Sequence, residues 1–228
     1  MNFWLITRYS FTEIWRNKTF RVAFMVLIPL LIAYQVSFQS DMFNIPVEYT
    51  LVLSSFIPTQ NAYMFNLLLV FPLATMGFWV HKQKKYNTLE ALLVHPQGND
   101  TYSTGFILGI IIAFMIMGSI SLALAGLINL FASSTSFRPL IYLFYLVTLI
   151  LPTIVFVVGI TSFLAARCFK NGTVTTFFML VYLSVDILFL STLYHGLFDP
   201  LGILLPYTFS DFTGIADLPG FLLHRTTF

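Results

Sequence analysis

The residue best placed to do chemistry in this chain is a carboxylate in the middle of a long apolar run. Asp186 stands between Val185 and Ile187 within residues 173–194. At the centre of a bilayer a charged side chain costs at least about 2.5 kcal/mol, so it must face protein, water or a second subunit. An ion path, a substrate contact and a subunit interface all meet that need. So does a protonated acid hydrogen-bonded to a hydroxyl such as Ser184. No basic residue lies at the same depth in the sequence, so an ion pair would require another subunit.

A second acid, Glu90, lies in a short segment from Tyr86 to Pro96 that follows the basic run His81-Lys82-Gln83-Lys84-Lys85. Asn87 can cap a helix there, and Glu90 sits three residues on, where an acid answers the cap. The positive end of the helix favours its carboxylate, and Pro96 stops the helix. Leu89, Leu92 and Leu93 make the apolar side, suited to lipid or to a groove on a partner. Glu90 is both a local cap and a candidate partner contact.

Other chemistries are missing their residues. His81, His95, His195 and His224 form no His-Glu-x-x-His pair, and the sequence holds neither a Gly-x-Ser-x-Gly elbow nor a phosphate-binding Gly-x-x-x-x-Gly-Lys-Ser/Thr loop. The single Cys168 excludes an internal disulfide. The reading is therefore of a chain that is not an enzyme, with no catalytic residue, metal or cofactor of its own.

The elements that would position these acids follow from composition. Of 228 residues, 58% are hydrophobic and 9% charged, against about 25% charged in soluble domains. So few charges cannot cover a surface in water. The solvent must be lipid, and the continuous apolar runs point to helices rather than an alternating barrel. The expected fold is an all-α membrane protein with five spans, at 20–38, 62–80, 103–132, 140–166 and 173–194. Pro29, Pro72 and Pro152 fall inside spans and predict bends there, either moving hinges or static kinks, and Pro152 is expected to interrupt the fourth span. Residues 40–61 read as a polar loop, and 195–228 as an extracytoplasmic segment too broken to span. Leu201–Leu205 is apolar enough for a short re-entrant or interfacial turn. Net charge is only +2, which makes no case for nucleic acid.

Residues 1–18 read as a helix lying in the headgroup plane. Trp4, Phe11 and Trp15 are expected on one stripe, with Arg8, Thr12 and Arg16 on the opposite side, as interfacial anchors on membrane lipid. Gly105 and Gly109 open the third span with the small-residue spacing that lets two helices approach closely. Gly118, Ser119, Ala123 and Gly126 continue that texture. Placing the amino terminus in the cytoplasm puts nine basic residues inside and leaves only Arg138 and Arg225 outside, which sets the orientation.

The basic stop, Thr88-Leu89-Glu90-Ala91-Leu92-Leu93, the proline and polar turn after it, and Gly105 with Gly109 together resemble the ABC-2 type permease. This is the membrane subunit of type V ABC transporters. The resemblance extends through most of the chain. Residues 1–18 resemble its elbow helix, and the segment around Glu90 its cytoplasmic coupling helix between spans two and three. Asp199-Pro200-Leu201-Gly202 and Leu223-His224-Arg225 resemble a subgroup with a long periplasmic passage and, in some members, longer or fused chains. The resemblance implies docking of cytoplasmic ABC ATPase subunits on Thr88, Leu89, Glu90, Leu92 and Leu93. ATP and magnesium would be held by that partner. It further implies a second permease half, a location in the cytoplasmic (inner) membrane, and a sixth span expected after residue 228. The alternative, from Asp186, is an ion-coupled carrier or channel.

Overall fold

The computed structural model describes residues 3–39, 54, 56–74, 99–132, 137–164, 172–185, 201–202 and 218–226. These residues are helical almost throughout. α1 is Phe3–Arg16, α2 Lys18–Gln39, α3 Phe56–Ala74, α4 Asn99–Ala132 and α5 Pro139–Tyr145. A π-helical turn, Leu146–Ile150, joins α5 to α6, Leu151–Phe163; α7 is Gly172–Val185 and α8 is Leu218–Thr226.

Among the described residues, three helices are long and apolar enough to cross a membrane: Lys18–Ser37, Thr101–Phe131 and Pro139–Phe163. Their outer surface is apolar where that of a water-soluble protein is polar. Met25 is 69% exposed, Phe131 87% and Leu140 78%, while Asn129 and Thr153 are buried. Large apolar side chains face outward because the surrounding solvent is apolar. Buried hydroxyls such as Thr153 and Ser121 hydrogen-bond within the protein, as polar groups of helices in lipid require.

The chain divides into two compact units. The first gathers Met1–Ala23, Leu69–Met115 and Ile154–Phe189, with Ile6, Ile14, Phe20, Ile110, Phe114 and Val157 among its buried side chains. The second gathers Phe24–Leu68, Ile116–Thr153 and Leu190–Phe228, and its interior includes Phe65, Met117, Tyr145, Ile150 and Phe221.

Two features differ from the sequence reading. Residues 56–61, expected in a loop, are the opening turns of α3. Pro58 does not prevent this, because the first turn of a helix needs no intrahelical N–H donors there. At Pro152 the span is not interrupted. Proline removes a donor and crowds the carbonyl four residues back, and the backbone accommodates it by widening over Leu146–Ile150, with Leu151 N–H reaching back five residues to Leu146 O. The helix likewise continues past Pro29.

Candidate functional site

In the first unit, α1 packs backbone-close on the start of α4. A Cβ built on Gly109 would lie 2.7 Å from the Thr7 carbonyl oxygen, 2.7 Å from Ser10 Cβ and 3.0 Å from the Phe11 nitrogen. One built on Gly105 would lie 3.2 Å from Ile6 Cγ2. The gap left by these glycines lets Ser10 Oγ donate to Phe106 O at 3.0 Å. Numbering advances together along the two helices, and Phe20 meets Phe114 edge-on at 5.3 Å. The buried face of α1 is Ile6, Thr7, Ser10 and Ile14, at the i, i+4 and i+3 steps of a helix.

That face corrects the expected division of α1. Trp4 and Arg8 stand one helical turn apart and are both exposed, so Arg8 is not opposite the tryptophan stripe. Phe11 stacks on Trp15 at 5.7 Å, and Trp15 meets Phe20 at 5.8 Å. The real contrast is between a narrow stripe of small and aliphatic residues against α4 and a broad outer face that mixes aromatic and basic side chains.

The corner between α1 and α2 is a single residue, Asn17. Its N–H donates to Ile14 O at 2.9 Å, and its carbonyl accepts from Arg21 N at 3.0 Å. Its side-chain Oδ1 accepts from Thr19 N at 2.9 Å, satisfying one of the open donors at the start of α2. Arg21 Nη2 donates to Arg16 O at 3.0 Å. A surface cavity of about 630 Å³ lies at this corner, lined by Tyr9, Thr12, Glu13 and Arg16 of α1 and by Asn17, Lys18 and Thr19. The Glu13 carboxylate, one turn from Tyr9, raises the tyrosine pKa above its ordinary 10.0, and burial adds to the rise.

The second unit contains a polar interior that no motif announced. Asn66 Nδ2 donates to Leu201 O at 2.8 Å and to Leu149 O at 3.3 Å. Thr153 Oγ1 reaches Leu149 O at 2.9 Å and Leu201 O at 3.4 Å. Leu149 belongs to the π-helical turn, and Leu201 precedes Gly202, whose φ of 67° suits glycine. One carboxamide thus ties α3, the widened span and the 201–202 segment together. Its orientation is fixed, since a reversed amide would aim oxygen at two carbonyls. The remaining acceptor, Asn66 Oδ1, is buried without a hydrogen-bond partner among the described residues, as is Gln35 Oε1.

Further ties lie nearby in the same unit. Ser121 Oγ donates to Asn61 Oδ1 at 2.8 Å, and Asn129 Nδ2 donates to the Tyr142 hydroxyl at 3.1 Å. A Cβ on Gly118 would lie 2.9 Å from Ile150 Cγ2 and 3.4 Å from the Phe65 ring, so this glycine admits α3 and the π-helical turn against α4. Gly126 of α4 faces Phe137 and Tyr142 at the start of α5. Phe221 of α8 is buried and stacks on Phe144 at 6.0 Å.

The structure therefore brings Gly105 and Gly109 against α1 and places Trp4, Arg8, Phe11, Trp15 and Arg16 around it. Thr88, Leu89, Glu90, Leu92, Leu93 and Asp186 lie outside the described residues. Ser184, considered as a partner for Asp186, sends its hydroxyl hydrogen to Leu180 O at 2.7 Å. Among the described residues no three His, Cys, Asp or Glu side chains come together as a metal site. A comparison with protein-family models, curated proteins and solved structures finds no match.

Proposed function

We propose that the chain is the membrane permease half of an ATP-driven exporter, with five spans and its amino terminus in the cytoplasm. A separate cytoplasmic ATPase would dock on the segment around Glu90 and drive it. Two permease halves would enclose the path. The observation that supports this reading is the junction of α1 with α4. α4 starts at Asn99, immediately after the proposed docking segment, and α1 rests on its first turns with no side chain between the backbones at Gly109. A force applied at residues 86–96 would then reach α4 and carry α1 with it. A two-state membrane element biased by a nucleotide-driven partner needs such a rigid relay.

The test is co-purification of the chain with its ATPase, comparing wild type with Glu90→Arg. Loss of the ATPase from a variant that keeps its melting temperature is expected. Undiminished association would remove docking from Glu90. Transport that follows a proton or sodium gradient and ignores ATP depletion would replace the proposal with the Asp186 carrier.

A further inference from the structure

The corner cavity between α1 and α2 has the composition of a phospholipid headgroup site. Arg16 and Lys18 line it, both exposed, and neither makes an ion pair or a side-chain hydrogen bond with any described residue. Arg21 adds a third cation, drawn to the corner by its bond to the Arg16 carbonyl. Thr12, Thr19 and Tyr9 supply hydroxyl groups around the same space. At about 630 Å³ the cavity is large enough for a phosphate and its substituent.

Two features point to lipid rather than to a soluble phosphate. First, Lys18 stands on a face of α2 that continues one and two turns on as Val22, 52% exposed, and Met25, 69% exposed. A ligand whose phosphate sits at the corner therefore finds an apolar strip for an acyl chain. Exposed Trp4 and Trp15 on α1 suit the same water–hydrocarbon boundary. Second, the acid Glu13 is on the cavity wall. Its carboxylate repels an approaching anion, and repels a doubly charged phosphate monoester more strongly than a singly charged phosphodiester.

We infer that this corner binds the phosphodiester headgroup of an anionic phospholipid, with Arg16 and Lys18 holding the phosphate and α2 carrying a chain. The bound lipid fixes the angle at which α1 leaves the first span. This inference is independent of the exporter reading, since it uses only residues 4–25.

The experiment is native mass spectrometry of the full chain released from detergent with phosphatidylglycerol or phosphatidylcholine added. Retention of one phosphatidylglycerol in preference to phosphatidylcholine is expected. Arg16→Gln with Lys18→Gln should weaken that retention at least about tenfold, as removal of two surface cations facing an anionic headgroup does. Glu13→Gln should strengthen it, an opposite change that no general loss of folding can imitate. Millimolar inorganic phosphate should not displace the lipid. Displacement by inorganic phosphate would make this a soluble-anion site and overturn the lipid assignment. Equal retention of the two lipids, or unchanged retention in both the double variant and Glu13→Gln, would overturn the site itself.

Discussion

Replacing Gly109 by alanine puts a methyl group where the structure has none to spare. Its Cβ would stand 2.7 Å from the Thr7 carbonyl oxygen and 3.0 Å from the Phe11 nitrogen, both backbone atoms that no rotamer change can move. Ordinary van der Waals contact begins at 3.4 Å, so α1 must retreat by the difference from 2.7 Å, about 0.7 Å. That retreat stretches the bond from Ser10 Oγ to Phe106 O from 3.0 Å to about 3.7 Å and abolishes it. Overpacking costs about 1–3 kcal/mol, and an interhelical hydrogen bond in a membrane contributes about 0.6 kcal/mol and at most about 1.7. The expected loss is about 2–4 kcal/mol, or roughly 5–15 °C in melting temperature for a chain of this size. Thermal unfolding in detergent, followed by intrinsic fluorescence, reads it directly. Gly159→Ala is the control, because a Cβ there meets nothing within 4 Å. Should Gly109→Ala melt together with Gly159→Ala, the close approach of α1 and α4 would be refuted.

Other outcomes follow from the same geometry. A double-mutant cycle on Asn61→Ala and Ser121→Ala should give a coupling of about 0.6 kcal/mol, and zero coupling would deny the interhelical bond. Asn66→Leu frees the Leu201 carbonyl from its 2.8 Å donor and should cost about 1–3 kcal/mol, with faster amide exchange around Gly202 as the local readout. Tyr9 should ionise above the ordinary tyrosine value, and Glu13→Gln should bring its ultraviolet titration back down. Because the folded pKa is the raised one, the linked stability is intact below pH 10.0 and declines as pH climbs through the folded value. A titration unchanged by Glu13→Gln would mean that the carboxylate does not act on the phenol.

Much of this architecture is written in hydrophobicity. Runs such as 103–132 and 140–166 read as spans because an uninterrupted apolar stretch of that length has no other use, and helices occupy 99–132 and 139–163. The Gly105 and Gly109 spacing likewise marked a close approach, and the partner is α1 of the same chain. Periodicity misled on α1, where Trp4 and Trp15 drew the eye to the outer face. The inner stripe of Ile6, Thr7, Ser10 and Ile14 is too modest in hydrophobicity to stand out. The opening of α3 at Phe56 was hidden because Pro58, Gln60 and Asn61 look like a loop. In lipid they are an interior, with Asn61 bonded to Ser121. The Asn66 node could not be read at all. Its partners are the carbonyls of Leu149 and Leu201, up to 135 residues away, and main-chain acceptors leave no trace in residue identity.

The seam between α1 and α4 also has a consequence for biosynthesis. Ser10 and its acceptor Phe106 are 96 residues apart in the chain. At about 5–20 residues per second, the amino-terminal helix leaves the ribosome roughly 5–20 s before its dock exists. Throughout that interval its glycine-matched stripe must be kept off other nascent segments. Removing the exposed Trp4 and Trp15, which would hold it at the bilayer surface until α4 arrives, should lower the yield of correctly inserted protein more than it lowers the stability of molecules already assembled.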